Sequence, residues 1–411
     1  MKKLLLILLC LPFIGFGQGW IKGYVDAHAY SVEQTNDGGY ILAGEISTPN
    51  NHSDIWLLKT DGQGNQQWVN TFGTVERDAC YAVKQTTDGG YILAGHIGET
   101  DTAHGEVWMS KVDSVGNQIW SNTYGDGNSS YSIEQTNDGC FVFGGNGGVH
   151  KTDNNGNLQW SHNYDSDLAS IIHLTKTFDG GFIIAGLDTM INACIMKIDS
   201  LGIKQWKKIY GSNNTDWEQI SSTQEIVGGI ILVGEQEFVS GPNIGYNNVW
   251  LIKTNPLGDT LWERSVLVDR FPFISARSIQ QTSDGGFIIS GFAAVSNQQN
   301  DYDIILLKTD ANGVKQWSNT FGGSGIDVSF SVRQTIDGGY IIAGISESHT
   351  YTLIKTDGNG NITSTFNIPI PNPNRKLEKV VDILGRETKQ TNQTLLYLYD
   401  DGTVEKRIVI E

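Results

Sequence analysis

The chain has 411 residues, with 45 Asp and Glu against 28 Lys and Arg and a formal net charge of −17. That balance argues against nucleic acid and anionic lipid as partners, because both would be repelled. Its 49 glycines against 8 prolines, with 39% hydrophobic residues, describe a folded, turn-rich β protein long enough to bury a large core, not a disordered chain.

Residues 1–17 read as a secretory signal: Lys2 and Lys3, an apolar run over 4–16, and the small residues Gly15 and Gly17 at the cleavage positions. The mature chain is expected to begin at Gln18. Losing two lysines and no acids, it carries 26 basic against 45 acidic residues, a charge of −19. Cys10 does not make a lipobox, since Leu9 before it is too large and the apolar run continues past it. No later segment has the 18 or more apolar residues that would span a bilayer. Cys80, Cys140 and Cys194 are an odd number in different repeats, so buried free thiols are expected rather than a disulfide framework.

From Ser31 onward one unit recurs seven times. Its first signature is a strand, a tight turn at Asp37-Gly38-Gly39 and a second strand, anchored again at Asp88, Asp138, Asp179, Val227, Asp284 and Asp337. A Gly stands seven residues after every anchor (Gly44, Gly95, Gly145, Gly186, Gly234, Gly291, Gly344), marking a backbone position that a side chain would obstruct. The second signature is Lys59-x-Asp61-x-x-Gly64 with Trp68 beyond. Its lysine recurs as Lys111, Lys151, Lys197, Lys253, Lys308 and Lys355. Both are hairpins by their turn chemistry, so each repeat holds four strands, a to d.

Anchor spacings of 51, 50, 41, 48, 57 and 53 residues suit four-stranded blades and are too long for helical or leucine-rich repeats. Such blades bury their faces against one another when arranged radially. The fold class is therefore all-β, a seven-bladed β-propeller over residues 18–368. Residues 20–24 match strand d of later repeats, whereas the seventh repeat has Ser364 where the other six have Trp. The N-terminal strand is thus expected to close the last blade.

Period-two counting along strand a places Val32, Val83, Ile133, Leu174, Ser222, Ile279 and Val332 between blades. It places Glu33, Lys84, Glu134, Thr175, Thr223, Gln280 and Arg333 on the central channel, with Ser31, Ala82, Ser132, His173, Ser221, Ser278 and Ser331. The charged members are expected to pair around the channel.

The unit QTxDGGYIxAG followed by WLxKTDxxGNxxW resembles the propeller repeat of secreted bacterial proteins, and its Asp-x-x-Gly-x-x-x-Trp portion is similar to the tryptophan-docking repeat of quinoprotein dehydrogenases. The resemblance implies that Trp68, Trp120, Trp160, Trp206, Trp262 and Trp317 each pack on the next blade. It does not extend to the quinone, for this chain has seven repeats and no adjacent cysteines. Calcium needs several oxygen ligands converging on one ion, whereas each Asp61-type turn supplies one fixed carboxylate. That carboxylate is expected to accept from its own turn backbone.

Composition changes at Pro369. Residues 369–376 form a proline-interrupted linker, and residues 377–411 closely resemble the type A C-terminal sorting domain of the type IX secretion system. The motif lies in DILGRE, with Asp382, Gly385, Arg386 and Glu387, and in DDGTVEKRIVIE, with Asp401, Gly402, Val404 and Lys406. The resemblance implies a small C-terminal β domain, recognition by an outer-membrane translocon, and release or attachment at the cell surface.

No motif carries catalysis. The eight histidines are scattered, and HExxH, GxSxG and paired cysteines are missing from the sequence. No cofactor or metal is implied. The sequence favours a secreted or surface-exposed binding or adhesion module for a glycan or protein. An extracellular propeller hydrolase or lyase with a site assembled from variable loops is the alternative. Loops b–c and d–a share one end of the ring and vary most in repeats five and six, where Trp217, Glu235, Phe238, Tyr246, Asp269, Arg270, Phe271, Phe273, Asp301 and Tyr302 cluster. Aromatic faces beside carboxylates suit sugar or peptide recognition.

Overall fold

A computed structural model describes residues 19–24, 27–49, 52–100, 105–126, 130–145, 148–211, 218–239, 245–268, 273–294, 301–346, 351–362, 377–382, 394–399 and 404–408. Its contacts divide the chain into two units, residues 1–362 and 363–411.

The first unit is a seven-bladed propeller, with seven four-stranded antiparallel sheets and no helix among the described residues. In blade 1 the strands run Ala27–Gln34, Tyr40–Ser47, Ser53–Thr60 and Gln66–Phe72, paired in that order. Blade 7 supplies only three strands from its own repeat, Asp327–Gln334, Tyr340–Ser346 and Tyr351–Thr356, and Trp20–Gly23 adds the fourth. The added strand pairs Trp20 with Lys355 and Ile21 with Ile354. The ring is fastened by backbone pairing between its two ends.

Seven apolar clusters hold the ring, one at each blade interface. The closing one joins Val32, Tyr40 and Leu42 of blade 1 to Ile341, Ala343 and Leu353 of blade 7, with Trp20 packed against it. Strand-d tryptophans meet an aromatic ring of the following blade: Trp68 with Tyr91 at 5.9 Å, Trp317 with Tyr340 at 5.8 Å, and Trp20 with Tyr40 at 5.9 Å. The repeated glycine has a steric cause. A Cβ on Gly44 would stand 1.8 Å from the His28 carbonyl oxygen, and the same backbone clash recurs at Gly95, Gly186, Gly234, Gly291 and Gly344.

Strand a is stitched to its neighbours by polar side chains. Ser31 Oγ accepts from Val83 N at 3.2 Å, and Ser331 Oγ accepts from Val32 N across the ring closure at 3.4 Å. Gln34 Oε1 likewise accepts from Ile336 N at 2.9 Å. Blade 5 departs from the sequence count by one residue. Its a–b turn is the tight Val227-Gly228, with Ile226 paired to Gly229, whereas blade 1 pairs Gln34 with Tyr40 across five residues. Ser222 and Gln224 therefore take the channel positions expected of Ser221 and Thr223, and Thr223, not Ser222, corresponds to Val32.

Cys80, Cys140 and Cys194 are buried free thiols, and burial pushes Cys80 and Cys194 up to about 12.

The second unit contains a three-stranded antiparallel sheet, Leu377–Asp382, Thr394–Tyr399 and Val404–Ile408. Asp382 pairs with Leu395, Val404 with Leu398 and Lys406 with Leu396. Gly385, Arg386, Glu387, Asp401 and Gly402 lie outside the described residues.

Candidate functional site

The two ends of the ring differ in how their polar groups are used. At the end of the a–b and c–d turns, the two recurrent signatures lock together. Lys59 is 2% exposed and its Nζ lies 2.9 Å from Asp37 Oδ2. The pair recurs as Lys111–Asp88, Lys151–Asp138, Lys197–Asp179, Lys308–Asp284 and Lys355–Asp337. Burial would raise these aspartates, but a threonine hydroxyl, the lysine and a turn N–H overcome it and hold Asp37, Asp88, Asp179 and Asp284 at about 2. Asp61 Oδ1 accepts from Gln63 N and Asn65 N of its own turn at 2.9 and 2.8 Å. These carboxylates are engaged by scaffold donors, although the side chains of Asp37, Asp88 and Asp284 stay about half exposed.

The central channel is a cavity of about 570 Å³ that runs from Thr35, Asn36 and Ile336 at the turn end to Tyr30, Tyr81, Arg277 and Phe330 at the opposite end, its mouth. Strand a of blade 1 bulges between Ala29 and Ser31, and the extra residue breaks the alternation of faces. Tyr30 thereby lines the channel instead of packing between blades. Equivalent bulges act at Tyr81, Arg277 and Phe330, and Tyr131 takes the same place in blade 3. Phe330, Tyr30, Tyr81 and Tyr131 form a continuous arc, with successive ring centroids 5.1, 5.0 and 5.1 Å apart. Tyr30 is fixed by donating its hydroxyl to Glu45 Oε1 at 2.7 Å. Blade 6 puts Arg277 where the arc has aromatic rings.

Counting in twos had hidden this ring. A signal was present, since Tyr30, Tyr81, Tyr131, Arg277 and Phe330 each stand seven residues before an anchor.

Around Arg277 the structure gathers part of the expected ligand face. Phe273, Phe292 and Tyr302 form a trio with centroids 5.4 to 6.4 Å apart, and the Arg277 guanidinium lies 5.5 Å from the Phe292 ring centre. Glu235, 2% exposed, projects from strand b of blade 5. Burial raises its carboxyl, although Arg277, Ser275 and Asn247 pull the other way. Glu235 Oε2, Ser275 Oγ and Arg277 Nε nonetheless have no hydrogen-bond partner. Asp301 adds to the charge that, after burial and Asp327, raises Asp303. Arg277 and Phe292 were not foreseen. Trp217, Asp269, Arg270 and Phe271 lie outside the described residues, as do the side chains of Phe238 and Tyr246. The long b–c loop expected between Glu235 and Asn248 is instead largely hairpin, with Phe238 paired to Tyr246 and Val239 to Gly245.

Deeper in the channel, Lys84 Nζ meets Glu134 Oε2 at 2.7 Å, as expected of paired charges. The other two members do not pair with charges. Glu33 Oε2 accepts from Gln85 N at 2.7 Å, and Arg333 Nη1 donates to Val332 O at 2.8 Å and reaches Ser278 Oγ at 3.5 Å. His173 is enclosed by protein yet touches the lumen. Burial, followed by the charges of Arg333 and Lys84, pushes it down to about 3 and keeps it neutral. Among the described residues no group of three or more His, Cys, Asp or Glu could hold a metal ion.

Ring closure, blade count and a solvent-lined axis define a β-propeller with one asymmetric mouth. No family model and no curated protein sequence matches the chain. Among solved structures it is similar to the WD40 β-propeller domain of Doa1, at 13% identity over 84% of this chain and 98% of that one, with a TM-score of 0.54. It is similar also to the Neurospora crassa Pan2 WD40 domain, at 11% identity over 84% and 97%, with a TM-score of 0.56. At these identities the likeness shows the fold alone.

Proposed function

We propose that this protein is a secreted or surface-held binding module whose ligand, a glycan or a protein, enters at the channel mouth. The observation that carries the reading is the loss of symmetry there. A repeat scaffold needs the Lys–Asp locks in nearly every blade, but it has no structural use for an aromatic arc on one side of the channel and the Arg277 side chain in the equivalent place on the other. Aromatic walls with a few convergent polar groups are the usual composition of a ligand site. Export rests on the sequence resemblance: residues 1–17 direct the chain across the inner membrane, and residues 377–411 engage a type IX translocon. In a host with that system, the full chain should emerge outside the cell, and a chain ended at residue 368 should stay in the periplasm. Equal export of both would remove the sorting role.

Binding is tested by a broad glycan and protein screen on the purified chain. Saturable binding without turnover supports the reading, and no binding to any array contradicts it.

A further inference from the structure

Two interfaces of the ring carry the same pair of aspartates, one from strand c of a blade and one from strand a of the next. Between blades 1 and 2 they are Asp54 and Asp78, and between blades 6 and 7 they are Asp303 and Asp327. Each pair meets at a glycine of the intervening d–a segment. A Cβ on Gly73 would stand 2.7 Å from both Asp54 Oδ1 and Asp78 Oδ2, and a Cβ on Gly322 would clash with Asp303 Oδ1 and stand 2.8 Å from Asp327 Oδ2. The ring therefore brings two like charges together twice.

Only the first pair is satisfied by the protein. Asp78 is fully buried and accepts from Gly98 N at 2.7 Å and from both the N–H and the hydroxyl of Thr74. Blade 7 has Gly323 in the place of Thr74, so the hydroxyl is lost, and Asp327 Oδ2 accepts from Gly323 N at 2.9 Å. Asp327 is 1% exposed, and its Oδ1, like Asp303 Oδ1, is buried without a hydrogen-bond partner. The charges that act on Asp303 are those of Asp327 and Asp301, all of one sign. A buried carboxylate pair is costly unless something positive stands between its oxygens. Carboxylates suit a hard divalent cation, and an ion beside so buried a residue must give up water, which magnesium does reluctantly. Calcium can take two oxygens from each carboxylate, with water on the partly exposed Asp303 side completing its shell. We propose that Asp303 and Asp327 hold a calcium ion between blades 6 and 7, a cation doing there what Thr74 and Gly98 do between blades 1 and 2.

Thermal unfolding of the purified full chain, freed of divalent ions by a chelator, tests this. Calcium at about 10 mM should raise the melting temperature by about 3 °C or more. The response should saturate with an apparent Kd on the order of 0.1 to 1 mM, the range of extracellular modules, and magnesium at equal ionic strength should give much less. Asp303→Asn should abolish the calcium response while the calcium-free chain melts at an equal or higher temperature, because the substitution also removes the repulsion. Asp327→Asn should behave alike, and if it does not fold, Asp303→Asn at its partly exposed position decides the matter. Asp54→Asn should keep the full response, since the pair at the first interface has its own donors. No calcium response in the parent chain, an equal response to magnesium, or a response retained in Asp303→Asn would overturn the proposal. So would a calcium-insensitive parent that acid stabilises through Asp303, which would put a shared proton in place of the ion.

Discussion

The turn end and the mouth end are made from the same strands yet use their polar groups in opposite ways. At the turn end, six Lys–Asp pairs and the Asp61-type turns return every carboxylate to its own scaffold. At the mouth the repeat is broken instead, with aromatic rings at Tyr30, Tyr81, Tyr131 and Phe330 and Arg277 in the equivalent place of blade 6. The contrast separates a part that repeats to hold the ring from a part that varies from blade to blade. Blade 5 sharpens the contrast, because it replaces the anchor aspartate with Val227, which is 88% exposed, and so offers Lys253 no equivalent carboxylate.

The largest effect should come from breaking the closure. Deleting residues 18–24 removes the fourth strand of blade 7 and the Trp20 contact with Tyr40, and should destabilise the propeller by on the order of 5 kcal/mol. For a domain of this size that is roughly 10 °C in melting temperature. A melt unchanged by the deletion would show that the ring does not depend on this pairing.

Smaller effects should divide the two ends by pH. Asp284 folds with its carboxyl at about 2, below the ordinary 3.8, so its contribution is present above about pH 4 and is lost as the pH falls toward 2. Since Asp284 faces water over half its side chain while Lys308 is buried, Asp284→Asn should cost only about 1 kcal/mol at pH 7 and nothing at pH 2. Glu235 has the opposite sign. Its raised folded value means that ionisation destabilises and protonation relieves, so Glu235→Gln should leave stability at pH 7 equal or higher. Chemical denaturation at pH 7 and pH 2 measures both. An acid-insensitive cost for Asp284→Asn, or a clear loss for Glu235→Gln, would erase the distinction between the ends.

Much of the ring was legible because its determinants are local and repeated. The recurrence of Asp-Gly-Gly, the invariant glycine and the docking tryptophan set blade number, strand order and closure. What escaped depended on single-residue offsets or on contacts across signatures. The two-residue turn at Val227-Gly228 shifts strand a of blade 5 by one, and the bulge at Tyr30 turns a residue that period-two counting assigns to the blade interface into the channel. Lys59 and Asp37 were each visible as repeated positions, but their pairing requires knowing that two turns meet. Of the expected ligand face, Glu235, Phe273, Asp301 and Tyr302 fall among described residues near the mouth, whereas Arg277 and the aromatic arc became apparent only with the bulge.

The central claim is that the mouth, and not the turn end, meets the ligand. Hydrogen–deuterium exchange on the chain, with and without a ligand retrieved by the screen, tests it most directly. The account predicts slowed exchange in peptides covering residues 27–32, 79–83, 274–278 and 328–332, with the turns at 35–39 and 61–65 unchanged. Protection confined to those turns, with the mouth peptides unaltered, would contradict it.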